Sequence, residues 1–267
     1  MTLITGDEVA EALTKSRVIV VGLGGVGSWC AEALVRSGIG NISIVDFDTV
    51  CVTNINRQIQ ATSKTVGRLK AEALQERLKE INPSCEVAAF PDFFSNDAVE
   101  LFDISGADYI IDAIDVLKSK LDLIETALTM KKRIFSSMGM ALRLDPTLIR
   151  TADIWKTQGC SLARLVRQGL RKRKCYGRFT TVYSPERLPR REPSSPDHDP
   201  SQVSAGSGAE PAPESLIKVP TGKKVINGSA VTVTATAGMI LASLVIRDIY
   251  ARFNDKPALH HPDGHCE

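Results

Sequence analysis

The chain has 267 residues, 43% of them apolar and 24% charged, with a formal net charge of +2; this is the profile of a soluble globular protein that buries a core without needing disulfides. So small a net charge excludes a protein that coats nucleic acid over its whole surface, and it confines any polyanion site to a local patch. Six cysteines, at positions 30, 51, 85, 160, 175 and 266, form no C-x-x-C pair, which speaks against a zinc ribbon and against a thioredoxin-like site.

Met1 to Lys15 carries Asp7, Glu8 and Glu11 and no apolar run. No signal peptide is expected there, so a cytoplasmic setting with mostly free thiols is expected. Val18 to Val21 is an apolar, β-branched run stopped by Gly22, the pattern of a buried parallel strand. Ser28 to Ser37 reads as a helix ended by Gly38 and Gly40, and Ile42 to Val45 as the next strand, closed by Asp46. The spacing predicts a helix over Lys70 to Ile81, ended by Asn82-Pro83. Strands are predicted over Glu86 to Phe90, Tyr109 to Ile114 and Arg133 to Ser137, with a helix over Lys118 to Met130. Strands alternating with helices predict an α/β fold: a doubly wound, Rossmann-like, mostly parallel sheet.

After about Asp153 the texture changes. Leu162 to Lys174, "LARLVRQGLRKRK", is basic with helical spacing. Ser184 to Ser215 is rich in Pro, Ser and Gly and poor in apolar residues, which predicts a loop or linker. Order returns at Val225 with a final helix, and the tail "NDKPALHHPDGHCE" is expected to fray. Ala230 to Ile246 carries no charge but is short for a bilayer. Its readings are a buried helix, a dimer-interface helix, or a membrane segment or peripheral membrane contact. The expected layout is a nucleotide-binding domain over 1–153, a basic segment over 154–183, a linker over 184–215, and 216–267 completing the same domain or an interface.

Gly22, Gly24 and Gly27 form G-x-G-x-x-G, with Gly25 inside it, between a predicted strand and a predicted helix. Glycines there let backbone approach a phosphate, and the helix N-terminus favours negative charge. Asp46 follows about twenty residues later, where an acid holds ribose hydroxyls; the other reading is an acid capping a strand end. These features do not say which nucleotide binds. Thr53 to Gln58, "TNINRQ", with Lys70 downstream, is more telling. A dehydrogenase needs no cations beside the phosphates, whereas cleavage between the α- and β-phosphates does, because charge builds on the α-phosphoryl oxygens and on leaving pyrophosphate. Lys70 also opens a helix, where the dipole favours an acid, so its placement points to function. Asp112 and Asp115 at a strand's carboxyl end suit magnesium bound with nucleotide phosphates; the alternative for Asp115 is a helix N-cap.

The stretches "GLGGVGSW", "DFDTVCVTNINRQ", "VGRLKAE", "INP" and "IDAID" resemble, in collinear order from Ser16 to Arg150, the adenylating enzymes related to ubiquitin activation. Within that superfamily "CVTNINRQ", "LDPTLIRTADIWKTQGCSLARLVRQGLRKR" and "VTVTATAG" are similar to the tRNA threonylcarbamoyladenosine dehydratase branch. The resemblance implies ATP and magnesium as cofactors and a homodimer. It places Gly25 against the nucleotide, Asp46 on the ribose, Asn54 and Arg57 at the phosphates, and Gln58 among the nucleotide-binding residues. Lys70 then reaches the α-phosphate and Asp115 holds magnesium. Asn54, Arg57 and Lys70 are the catalytic candidates. Val116 stands where the family usually has Asn or Ser. Many members carry an arginine on an N-terminal helix that reaches into the partner's site; Arg17 abuts the first strand and does not obviously play that part, so either the role is missing or the chain start is truncated. No zinc is expected.

The implied reaction dehydrates threonylcarbamoyladenosine near the tRNA anticodon through an acyl-adenylate. Arg164, Arg167, Arg171, Lys172, Arg173, Lys174 and Arg178 would hold tRNA phosphates; a solvated helix face is the other reading. Tyr176 and Phe179 could stack bases or serve the core. The principal alternative is adenylation of the C-terminus of a ubiquitin-like or sulfur-carrier protein, with a sulfur-relay partner. Cys160 and Cys175 lie in the second half, where sulfur-transferring members keep a cysteine, but in no acceptor motif. A hydride-transferring dehydrogenase and a non-catalytic nucleotide- or RNA-binding module are the remaining readings.

Overall fold

The computed structural model describes residues 1–95, 99–189 and 228–254. Helices α1 (Thr2–Thr5) and α2 (Asp7–Lys15) precede strand β1 (Arg17–Val21); then follow α3 (Gly27–Arg36), β2 (Asn41–Val45), α4 (Lys70–Ile81) and β3 (Glu86–Phe90). Next come β4 (Tyr109–Asp112), α5 (Leu117–Thr129), β5 (Arg133–Ser137), β6 (Arg150–Asp153), α6 (Ser161–Lys172), β7 (Thr180–Tyr183) and α7 (Val231–Phe253).

The seven strands lie in the order β3-β2-β1-β4-β5-β7-β6. All neighbours are parallel except β6, which runs antiparallel to β7. The doubly wound sheet expected from the alternation is therefore present. It does not stop at residue 153: β7 inserts between β5 and β6, so the basic segment is enclosed within the sheet's own connectivity. β4 ends at Asp112, two residues before the predicted end, because Ala113 and Ile114 turn toward the glycine loop.

The central strands explain their own burial. Val18, Val20, Ile42, Ile44 and Ile111 face one layer, packed under α2, α3, α4 and α7. Ile19, Val21, Ile110 and Ile134 face the other, under α5 and α6. A strand buried on both faces reads as a continuous apolar run, which is what "VIVV" and "YII" are.

Helix α7 is long and apolar enough to cross a membrane by length and composition. In this fold it is a core helix. Val233, Ala237, Leu241, Leu244 and Val245 join the first core layer. Asp248, fully buried, accepts a hydrogen bond from the Tyr109 hydroxyl at 2.8 Å and pairs with Arg252 at 3.2 Å and Arg133 at 3.4 Å. A carboxylate sunk among such partners ties the helix to β4 and β5. The Pro-, Ser- and Gly-rich stretch is described through residue 189. The rest of it, like the tail after residue 254, lies outside the described residues.

Candidate nucleotide site

Strand order reverses between β1 and β4, and a doubly wound sheet binds ligands in the crevice beyond the carboxyl ends of its strands at that point. The glycine loop sits there. Gly22 has φ 91°, a region that L side chains rarely adopt, and a β-carbon on it would lie 2.7 Å from the Ala113 carbonyl oxygen. Gly27 opens α3 so close to the loop that a β-carbon would meet the Gly22 oxygen. Gly24 has open space around it. Gly22 and Gly27 are thus required by packing, and Gly24 leaves room for a ligand.

Gly25 faces two later elements. A β-carbon there would come within 3.1 Å of the Thr234 side chain and 3.2 Å of Arg57 Cγ. Helix α7 therefore closes over the loop, fixed further by Asn56 Nδ2 donating to the Ser229 carbonyl at 3.1 Å. Sequence spacing could not show this approach across two hundred residues.

Asp46 extends from β2. Its two carboxylate oxygens accept from Leu23 N at 2.6 Å and Asp48 N at 2.9 Å, so it braces the glycine loop as well as facing the crevice. Loss of hydration raises its pKa above the ordinary aspartate value, with Lys70 pulling the other way.

Lys70 begins α4, and its side chain is 7% exposed. Its Nζ lies 2.7 Å from Asp48 Oδ2 and its N–H donates to the Asp48 carbonyl at 3.0 Å. Asp48 is a partner that the sequence reading missed, although it stands two residues after Asp46 in the same stretch. Asn54 and Gln58 are buried. Asn54 Oδ1 accepts from Cys51 N at 3.0 Å and shapes the turn that carries Arg57. Arg57 Nη1 donates to the Thr53 carbonyl at 2.8 Å and Asn56 Oδ1 at 3.0 Å, while its own carbonyl accepts from Trp29 Nε1 at 3.0 Å. Burial lowers the Arg57 pKa, opposed by the charges of Asp115 and Cys51. Asp115 is exposed, and its charge acts on that guanidinium.

Asp112 does not share the role suggested for it. It is fully buried, accepting from Lys120 Nζ at 2.6 Å, Ser136 Oγ at 2.5 Å and Ile114 N at 3.1 Å. A carboxylate so engaged has nothing left for a cation. Nor does Asp115 cap α5, whose N-cap is Val116 without a side-chain cap. Among the described residues no group of three His, Cys, Asp or Glu side chains could hold a metal. Asp115 alone fits a hard cation that takes its other oxygens from nucleotide phosphates and water.

A groove of about 420 Å³ lined by Arg17, Asn41, Ser43, Lys79 and Glu86 lies at the amino ends of β1 to β3. That is the wrong edge of the sheet for the nucleotide. Of the second-half cysteines, Cys160 and Cys175 are both buried.

The basic segment forms α6, as its spacing predicts, but its cations divide. Arg164, Arg171, Lys172 and Lys174 are exposed. Arg167 donates to the Thr157 hydroxyl, and Arg173 pairs with Asp122 and Glu125, each at 2.7 Å. Arg178 is exposed with Asp153 at 4.0 Å. Phe179 is a core residue and Tyr176 is 56% exposed.

A family model described as the ThiF family matches residues 1–261. The tRNA threonylcarbamoyladenosine dehydratase of Bacillus subtilis strain 168 is 43% identical over 184 residues, which is 69% of this chain and 72% of that protein. The solved structure of E. coli tRNA N6-threonylcarbamoyladenosine dehydratase in complex with AMP superposes with a TM-score of 0.78 at 33% identity, covering 96% of this chain and 94% of that one. The complex of the E. coli enzyme with ATP gives 0.77 at 32% identity with the same coverage.

Proposed function

The chain belongs to the ThiF family, and from that premise we propose that it is an ATP-dependent tRNA threonylcarbamoyladenosine dehydratase. The observation that carries the ATP half is the convergence of Arg57, Lys70 and Asp115 around a glycine loop left open at Gly24. The substrate half rests on the likeness to dehydratases that include complexes with AMP and ATP.

The carboxylate of threonylcarbamoyladenosine attacks the α-phosphorus of ATP, pyrophosphate leaves, and an acyl-adenylate forms. The ureido group of the same modification then attacks the activated carbonyl, and AMP departs with the former carboxylate oxygen. The net change in the nucleoside is loss of one water. The second nucleophile is tethered, so proximity replaces a covalent cysteine. Glycine-loop N–H groups and the start of α3 receive phosphate oxygens. Asp46 accepts from the ribose hydroxyls. Arg57 and Lys70 offset charge on the α-phosphoryl group and on pyrophosphate. Asn54 and Gln58 hold the loop that presents Arg57. Asp115 would hold magnesium, which would neutralise phosphate charge when bound.

Exposed Arg164, Lys172 and Lys174 contact tRNA phosphates in this reading, against a nearly neutral background. A homodimer is supported by the exposed apolar side chains Val52, Ile55 and Val66 beside the site. A cytoplasmic location is supported by the tRNA substrate and by the anchoring of α7 through Asp248.

The test incubates protein, ATP, magnesium and tRNA bearing the open modification, then digests and weighs the nucleoside. Loss of 18 mass units, one water by the stoichiometry of ring closure (about 18 Da), is expected. Pyrophosphate release that depends instead on a small carrier protein would overturn the reading in favour of carrier adenylation.

A further inference from the structure

One cation of the basic segment differs from its neighbours. Arg167 is drawn to the Thr157 hydroxyl and Arg173 is spent on two carboxylates of α5. Arg171 instead lays its guanidinium over the Trp155 ring, 5.3 Å from the centroid. Among the described residues that guanidinium makes no hydrogen bond and no ion pair. Trp155 is itself fixed. Its Nε1 donates to the Gly177 carbonyl at 3.1 Å, its N–H donates to Asp153 Oδ1 at 2.8 Å, and its ring lies 6.4 Å from that of Tyr176 at 31°.

The consequence is chemical. Stacking uses the flat face of a guanidinium and leaves its in-plane N–H donors free. Those donors match two oxygens of one phosphate, and a side chain already held loses less freedom on binding. Arg171 is exposed, with exposed Lys172 and Lys174 beside it and Arg164 seven residues earlier. On a helix that separation is two turns, about 10 Å along the axis. Arg164 and Arg171 therefore form a strip on one side of α6, with Lys172 and Lys174 at its carboxyl end. The strip starts near the carboxyl edge of the sheet, where Leu162 approaches Gly139, and Arg171 stands toward its other end.

We propose that Arg171, held flat by Trp155 beside Tyr176, is a preorganised two-point clamp for a backbone phosphate of the RNA substrate. This rests on the tRNA reading above. The clamp stands away from the glycine loop, so it orients and retains the RNA and does not touch the reacting atoms. Trp155 is a positioning residue, a role that a reading of charges alone does not reveal.

The test measures tRNA affinity against KCl concentration, and dehydration kinetics, for wild type, Arg171→Ala, Arg171→Lys and Trp155→Leu. Arg171→Ala is expected to weaken binding about tenfold or more, the usual effect of losing charged hydrogen bonds, and to flatten the log–log salt slope by about 0.7–0.9. Arg171→Lys and Trp155→Leu are expected to keep the slope and still lose most of that affinity. The loss should appear in KM for tRNA. Arg171→Lys is free of any doubt about folding, since the side chain is exposed. Wild-type affinity in Arg171→Lys, in an enzyme that dehydrates tRNA, would overturn the clamp and leave the function standing. A wild-type protein that neither binds nor dehydrates tRNA would overturn both.

Discussion

Lys70 Nζ lies 2.7 Å from Asp48 Oδ2, with the lysine side chain 7% and the aspartate side chain 33% exposed. The asymmetry separates the chemistry from the fold. Removing the lysine leaves a carboxylate that water can reach, so the structure has a way to compensate. Removing it also deletes the cation nearest the α-phosphate in the proposed site. Lys70→Ala is therefore expected to fold and to lose pyrophosphate release by about 10²–10³-fold, the usual effect of losing one charge-stabilising donor. Single-turnover pyrophosphate release and a thermal melt check both halves; unchanged release would remove Lys70 from the reaction.

The glycine loop allows a sharper separation. Gly24→Ala meets open space, whereas a β-carbon at Gly27 collides with the Gly22 oxygen. Gly24→Ala should keep its melting temperature and lose ATP affinity. Gly27→Ala should be severely destabilised or fail to fold, because the clash is with backbone that cannot move aside. ATP titration alongside urea unfolding distinguishes them, and a stable Gly27→Ala would contradict the geometry.

The sequence carried the sheet where local pattern decides structure. Helix Lys70–Ile81 and strands Glu86–Phe90 and Arg133–Ser137 have the predicted bounds. β6 and β7 escaped because "RTAD" and "TTVY" are four residues each and gain strand character by pairing with β5 and with each other. The glycine loop and α6 were legible. What the individual side chains do was less so. Asp112 looks like a strand-end acid until Lys120 and Ser136 bury it, and Arg171 looks like any other cation until Trp155, sixteen residues earlier, comes beneath it. Pairings of that kind exist in three dimensions and leave no local periodicity.

Lys120 and Asp112 are both fully buried, and no solvent reaches either side chain. Lys120→Met would leave Asp112 charged and without its counter-ion, which costs about 3–5 kcal/mol for a buried pair. The added replacement Asp112→Asn, which removes the stranded charge, is expected to recover part of that loss. Urea unfolding of the single and double variants gives the comparison; a Lys120→Met protein as stable as wild type would show that the pair contributes little.

Cys51 is exposed, and its Sγ accepts from the Thr53 hydroxyl at 3.3 Å. That hydrogen bond, with backbone N–H groups and the Lys70 charge, lowers its pKa. Burial pushes the Cys30 and Cys85 thiols the other way. Among the described free thiols Cys51 should be alkylated first by iodoacetamide, since the thiolate is the nucleophile. Its charge also acts on Arg57, so ATP in the proposed site should slow the reaction. Peptide mapping with and without ATP measures both effects; preferential labelling of a buried cysteine would refute the assignment.

Asp46 gives the pH dependence a definite sign. Its folded pKa lies above the ordinary value, chiefly through lost hydration. The folded state thus holds this proton more tightly than the unfolded chain does. The contribution of Asp46 to stability is greatest below about 3.9, the ordinary aspartate value. It declines as pH rises from there to the raised folded value, because in that window the unfolded chain binds fewer protons. Asp46→Asn has no proton to lose and should not show that decline. Unfolding free energies of the two proteins, measured from acid to neutral pH, should therefore converge or cross in favour of the asparagine variant as pH rises. The same variant should bind ATP more weakly, since one carboxylate oxygen is lost from the ribose position. A wild-type advantage that grows with pH through this window would mean that Asp46 gains more from Leu23, Asp48 and Lys70 than it loses by leaving water.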